Sequence, residues 1–254
     1  MKPLAPVLPS HVSDMKVVLY PFAALGHSDF GWLDARYHFS FARYWNPSRA
    51  GFGALRVIND DKVQSGRGFA PHDHENMEII TYVRSGAITH HDSLGHEGRT
   101  AAGDVQVMSA GSGVTHSEFN REDEATTLYQ IWIEPNEANV PPRWDQQKFP
   151  AEPVRDALRL LVSGQPEHEG RGTLYIHQDA AIYGGRMLAG SKAEQSLKHN
   201  AYVLASRGVF DIITPDGAVT RMHERDGLEI TGAASFRIQA VEDGEILVID
   251  VPDF

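Results

Sequence analysis

The chain has 254 residues and a formal charge of −11, from 23 basic and 34 acidic side chains. Apolar residues make up 41% and charged residues 22%, a globular balance that excludes disorder as the main state. The absence of cysteine excludes disulfides, thiolate metal sites and cysteine nucleophiles.

A surface this acidic, with no local concentration of positive charge, argues against direct nucleic-acid contact. No apolar run approaches the roughly 18 residues of a membrane span. The opening MKPLAPVLPS lacks the apolar core of a signal peptide, so a cytoplasmic protein is expected. Histidine is the outlier, at 13 residues, several of them in one short region.

Taken in chain order, residues 1–16 read as a polar N-terminal extension containing Pro3, Pro6 and Pro9. Residues 17–135 form a first domain. Its opening segment is rich in aromatics. Tyr37, Phe39 and Phe41 share one parity, which predicts a strand with one buried face. Leu55 to Ile58 predicts a short strand ended by Asn59-Asp60-Asp61. Beyond residue 66 the apolar period is two, with runs at Met77 to Val83, Ala87 to His90, Val105 to Met108 and Leu128 to Ile133. Glycine-rich turns separate these runs.

Residues 136–156 are proline-rich and predict a linker. Short strands resume over 157–254: Ala157 to Val162, Thr173 to His177, Arg186 to Leu188, Ala201 to Phe210, Gly227 to Ile230, Ser235 to Ala240 and Glu245 to Val251. The pattern predicts an all-β chain of two jelly-roll barrels, the second diverged from the first.

The candidate chemistry lies in two segments. His72-Asp73-His74 and His116-Ser117-Glu118 each present positions i and i+2, which point to one side of a strand. Three imidazoles and a carboxylate suit iron, manganese, nickel, copper, cobalt or zinc. Gly66, Gly68, Gly111 and Gly113 permit tight turns beside them. Asp73 is expected to point away. Glu78 competes with Glu118 for the fourth position, because its parity matches that of the first pair. The residues alone leave that choice open. The second half has His168, His177, His199 and His223 but no paired spacing, so a barrel without metal is expected there.

These segments resemble the pirin family of the cupin superfamily, most closely its short bacterial pirin-like members. The resemblance rests on Gly31-Trp32-Leu33-Asp34, Phe39-Ser40-Phe41, Leu55 to Asp61, the paired histidines with Met77-Glu78, and Thr81-Tyr82-Val83. Gly103-Asp104, Met108 to Gly113, His116-Ser117-Glu118 and Tyr129 to Ile133 continue it. Where the family commonly has proline between the paired histidines, this chain has Asp73.

The resemblance implies a bicupin whose N-terminal domain holds one metal, Fe(II) being favoured, through His72, His74, His116 and Glu118. Glu78 becomes a nearby acid, and Glu118 and Glu78 are the two candidates for a catalytic base. It also implies quercetin 2,3-dioxygenase-like activity on a flavonol-like aromatic with dioxygen. The alternative class is a non-catalytic, metal-binding regulatory or redox-sensing protein acting through a protein partner, as is described for animal relatives. Phe39, Phe41, Tyr44 and Trp45 are candidates for substrate walls or for core. A monomer is expected.

Overall fold

The computed structural model describes residues 15–253. The expected extension therefore lies, for residues 1–14, outside the described residues. The chain forms two domains of the same plan, each pairing a seven-stranded sheet with a four-stranded one. Among the described residues pairing is antiparallel except where the short strand Leu174–Tyr175 runs parallel to Arg159–Ser163. Among the described residues no helix is long and apolar enough to cross a membrane.

In the first domain the seven-stranded sheet runs in the order Arg143–Gln147, Val105–Ser109, Glu78–Ser85, Thr126–Ile133, Leu55–Val63, Leu33–Tyr37 and Gly26–Asp29. Its four-stranded partner runs Gly68–His74, Val114–Phe119, Ala87–Asp92, Glu97–Ala101. Small apolar clusters join their inner faces, for example Val83 and Leu128 against Ile88. The second domain has a fuller interior. Ala201, Val203, Leu228 and Val248 of its large sheet pack on Phe210, Phe236 and Ile238 of its small one.

The two large sheets stand back to back. Ile58, Ile80, Tyr129 and Ile131 of the first domain cluster with Val162, Tyr202, Leu204 and Leu247 of the second. Central strands buried on both faces read as continuous apolar runs, which is why Thr126–Ile133 and Asn200–Arg207 show little alternation. Charge also crosses this junction: Asp60 pairs with Arg84 of its own domain and with Arg225 of the other.

Several expectations change. Lys16–Tyr20, at the predicted start of the first domain, pairs with Gly227–Thr231 and becomes an edge of the second domain's sheet. The predicted linker is partly strand, since Arg143–Gln147 pairs with Val105–Ser109. The run Ala201 to Phe210 is two strands, Asn200–Arg207 and Phe210–Ile213, parted at Gly208, whose φ is +81°. The strand predicted over Arg186 to Leu188 lies earlier, at Ala181–Met187.

Tyr37, Phe39 and Phe41 do not share a face. The strand ends at Tyr37; beyond it Phe39 enters the core between the domains, while Phe41 packs on Tyr37 at the cavity side, just ahead of a tight turn through Ala42. The period-two relation that the parity argument used holds only inside a strand, and Phe39 and Phe41 lie beyond its end.

Candidate metal centre

Gly68–His74 and Val114–Phe119 are antiparallel neighbours, with His116 opposite His72 and Val114 opposite His74. Pleat alternation then turns His72, His74, His116 and Glu118 inward. Asp73 points away, as expected, and accepts a hydrogen bond from Thr115.

The register shifts between His116 and Glu118, which lies opposite Phe69. The extra residue falls at Ala70-Pro71, and a proline without an N–H is tolerated at such a bulge. Gly68 is required because a Cβ there would lie 2.1 Å from the Glu118 carbonyl oxygen. Gly111, at φ +48°, meets the Val140 carbonyl as closely.

The three imidazoles converge. Their ligand atoms lie within 4.8 Å of one another, and the ring centroids are 4.5–4.9 Å apart. The tautomers follow from the partners. His72 Nδ1–H donates to the Ala70 carbonyl at 2.8 Å, which leaves a lone pair on Nε2.

His116 is fixed through a longer chain. Asp92 accepts backbone N–H bonds from Leu94 and His96, and these bonds with the His90 and His96 contacts keep its carboxylate ionised. His90 Nε2 therefore donates to Asp92 at 2.9 Å, and its Nδ1 is an acceptor. His116 Nδ1 lies 3.4 Å from that acceptor and must carry the proton.

Nε2 of His116 thus bears a lone pair, 3.1 Å from the lone pair on His72 Nε2. Two lone pairs facing one another are stabilised by a cation shared between them. The donor set therefore fits a divalent transition metal. Burial, then the neighbouring histidines, lowers His116 to about 2 and His74 to about 4, so both are neutral ligands at ordinary pH.

Glu118 is buried beside this cluster. Its Oε1 accepts from Thr81 Oγ1 at 3.1 Å and Gln106 Nε2 at 2.6 Å, and its Oε2 from Gln130 Nε2 at 2.5 Å. Burial raises its pKa to about 7, and those hydrogen bonds oppose the rise. The three donors form a row across the sheet floor, Gln106, Thr81 and Gln130 being successive cross-strand partners, and Asn59 continues the row beyond Gln130.

Glu78 goes elsewhere. It is buried, accepts from Ser109 Oγ at 2.8 Å and from the His177 backbone of the second domain, and does not line the histidine cavity. The parity that linked it to His74 fails because Asn76, at φ +46°, separates two strands that belong to different sheets.

The three histidines and Glu118 open on a cavity of about 670 Å³. Trp32, Tyr37, Phe41, Phe69, Phe119 and Trp132 contribute its aromatic wall. Of the four aromatics named from sequence only Phe41 lines it; Trp45 is 72% exposed. In the second domain His168 meets Ser163, and His199 meets Asp179.

The pirin model matches residues 21–133, the domain that holds these histidines. Over 232 residues the chain is 44% identical to the pirin-like protein of Caulobacter vibrioides, covering 91% of this chain and 97% of that one. The chain belongs to the pirin family.

A model described as the quercetinase C-terminal cupin domain matches residues 160–251 of this pirin-family chain. The quercetin 2,3-dioxygenase of Escherichia coli is 41% identical over 232 residues, with coverage of 89% and 95%. The crystal structure of the bacterial pirin YhhW from Escherichia coli, in complex with nickel(II), superposes with a TM-score of 0.84 at 36% identity. That match covers 94% of this chain and all of that one.

Sequence reasoning missed His90, Asp92, Thr81, Gln106 and Gln130. Two signals were present. His90 and Asp92 share the same i, i+2 spacing as the ligand pairs. Thr81, Gln106 and Gln130 are polar residues inside otherwise apolar strands, and buried polar groups need partners.

Proposed function

We propose that this chain is a metal-dependent oxidoreductase of the quercetin 2,3-dioxygenase type that opens flavonol-like substrates with dioxygen. The observation that carries the reading is the convergence of His72, His74 and His116 in the lining of an aromatic-walled cavity. The family likeness supplies the reaction class. Fe(II) is the proposed metal, by preference for mixed histidine and carboxylate donors.

Glu118 is the proposed fourth ligand. When bound, the metal supplies Lewis acidity and redox capacity to an electron-rich oxygen donor. The chain's own groups do the rest. His90 and Asp92 hold the His116 ring in the tautomer that leaves Nε2 free. Gln106, Gln130 and Thr81 donate to the Glu118 carboxylate and fix its orientation beside the histidines.

Glu118 is therefore proposed over Glu78 as the acceptor of a substrate hydroxyl proton, since Glu78 lies outside the cavity. The aromatic wall orients a flat substrate and excludes water.

The test is metal analysis of the purified protein, followed by oxygen uptake and carbon monoxide release with quercetin for each reconstituted metal. His116→Ala and free metal serve as controls. Turnover that requires the metal-loaded wild type supports the reading. Equal rates in the wild type, the variant and free metal would assign the chemistry to the solution metal. Absence of turnover with iron, nickel, manganese, cobalt and copper would remove flavonol oxidation. Glu118→Gln is expected to weaken metal retention more than Glu78→Gln, and the reverse order would undo the ligand assignment.

A further inference from the structure

The strand Leu55–Val63 carries three successive buried polar residues, Asn59, Asp60 and Asp61. Alternation sends Asp60 to one face and its two neighbours to the other. Asp60 meets Arg84 and Arg225 at the domain junction. Asn59 and Asp61 line the histidine cavity.

Both are buried, at 5% and 2% exposure, and Oδ1 of each has no hydrogen-bond partner. An unsatisfied buried polar atom is destabilising, so a pair of them in one wall calls for an explanation.

The contrast within the same row is informative. Gln130 stands directly across the ladder from Asn59 and spends its amide N–H on Glu118, as Gln106 does. Asn59 and Asp61 take no part in that set. Asp61 lies two residues farther along the strand, about 7 Å beyond Asn59. Around them are the apolar surfaces of Trp32, Leu33, Ala35 and Tyr37. Two free acceptors in an otherwise apolar wall form a place for ligand hydroxyl groups.

We propose that Asn59 and Asp61 form a second recognition point of this cavity, which binds the hydroxyl groups of a planar hydroxylated aromatic whose opposite end reaches the histidines. The choice of a flavonol as that aromatic rests on the function proposed above; the presence of the polar pair does not. Burial first, then the neighbouring Asp60 and Glu118, pushes the Asp61 pKa well upward. The neutral carboxyl this favours both donates and accepts.

The experiment has two arms on full-length, metal-loaded protein. In the first, quercetin and 3-hydroxyflavone are titrated anaerobically and binding is read by tryptophan fluorescence. The two share the metal-facing hydroxyl and ketone but differ in their remaining hydroxyls. Wild type is expected to prefer quercetin by about 10-fold or more, the worth of one or two hydrogen bonds. Asn59→Leu and Asp61→Leu are expected to reduce that preference to about 2–3-fold, with 3-hydroxyflavone affinity little changed. Asp61→Asn, which keeps polar atoms in place, should retain most of it.

The second arm reads thermal unfolding without ligand. Relief of an unsatisfied polar atom should raise Tm of each leucine variant by about 2–4 °C. A fall in Tm with the quercetin preference intact would make the pair structural and overturn the inference. A rise in Tm in a protein whose wild type binds neither flavonol would overturn the flavonol reading while sustaining the ligand-facing pair.

Discussion

The two domains share one plan and fill it in opposite ways. In the second, the interior between the sheets is closed by Phe210, Phe236, Met222 and Ile238, all at 0–1% exposure. In the first, the corresponding space holds histidines, a buried glutamate, a row of amides and a cavity. A jelly-roll interior stabilises most when packed without voids. The first domain gives up part of that packing to hold polar groups, and the closed core behind it supplies the support. The shared interface of Ile58, Ile131, Leu204 and Leu247 joins the site-bearing sheet to the packed one.

The largest expected effect breaks the packed side of this comparison. Phe236→Ala should cost about 3–5 kcal/mol of stability, as deletion of a buried aromatic does. Metal content of the folded protein should stay at the wild-type level. Denaturant unfolding and metal analysis check both parts, and a loss of metal would mean that the second core shapes the site directly.

Glu78 probes the seam between the domains. Burial raises its pKa from 4.5 to about 7. Between those values the unfolded chain ionises while the folded chain keeps the proton. Stability from this group is therefore full below about pH 4.5 and falls as pH rises to about 7, by on the order of 3 kcal/mol. Glu78→Gln should flatten that part of the stability–pH curve, measured by urea unfolding across the range. An unchanged slope would show that the folded-state carboxyl titrates normally.

On the polar side, Asp92→Asn removes the negative charge and, with its amide oxygen held by the Leu94 and His96 N–H groups, turns an N–H donor toward His90, which reverses the His90 and His116 tautomers. The expected cost is about 10–100-fold in metal affinity, the usual range for partners that orient a ligand. Chelator competition measures it, and an affinity equal to wild type would remove Asp92 from the tautomer chain. The smallest effect belongs to Trp45, which stands in solvent. Trp45→Ser should alter stability by less than about 0.5 kcal/mol and leave metal content unchanged. A clear loss of flavonol binding would instead return Trp45 to the substrate wall.

What the amino-acid order determined by itself is local. Period-two runs specified an all-β chain, and i, i+2 spacing aimed His72 with His74 and His116 with Glu118, because side-chain direction alternates along any strand. The glycines beside them were legible as turn and contact positions: Gly68 and Gly111 meet other backbone closely, and Gly66 and Gly113 take positive φ in open space. Tertiary structure decided everything that depends on which strand lies beside which. It moved Lys16–Tyr20 into the second sheet, made part of the expected linker an edge strand, and carried Glu78 out of the site across a break in the strand.

It also brought His90 behind His116 and turned Asn59 and Asp61 into the cavity while Asp60 faced two arginines. Parity is a property of one uninterrupted strand. It says nothing across a turn, and strand pairing joins residues far apart in sequence through contacts that no local pattern records.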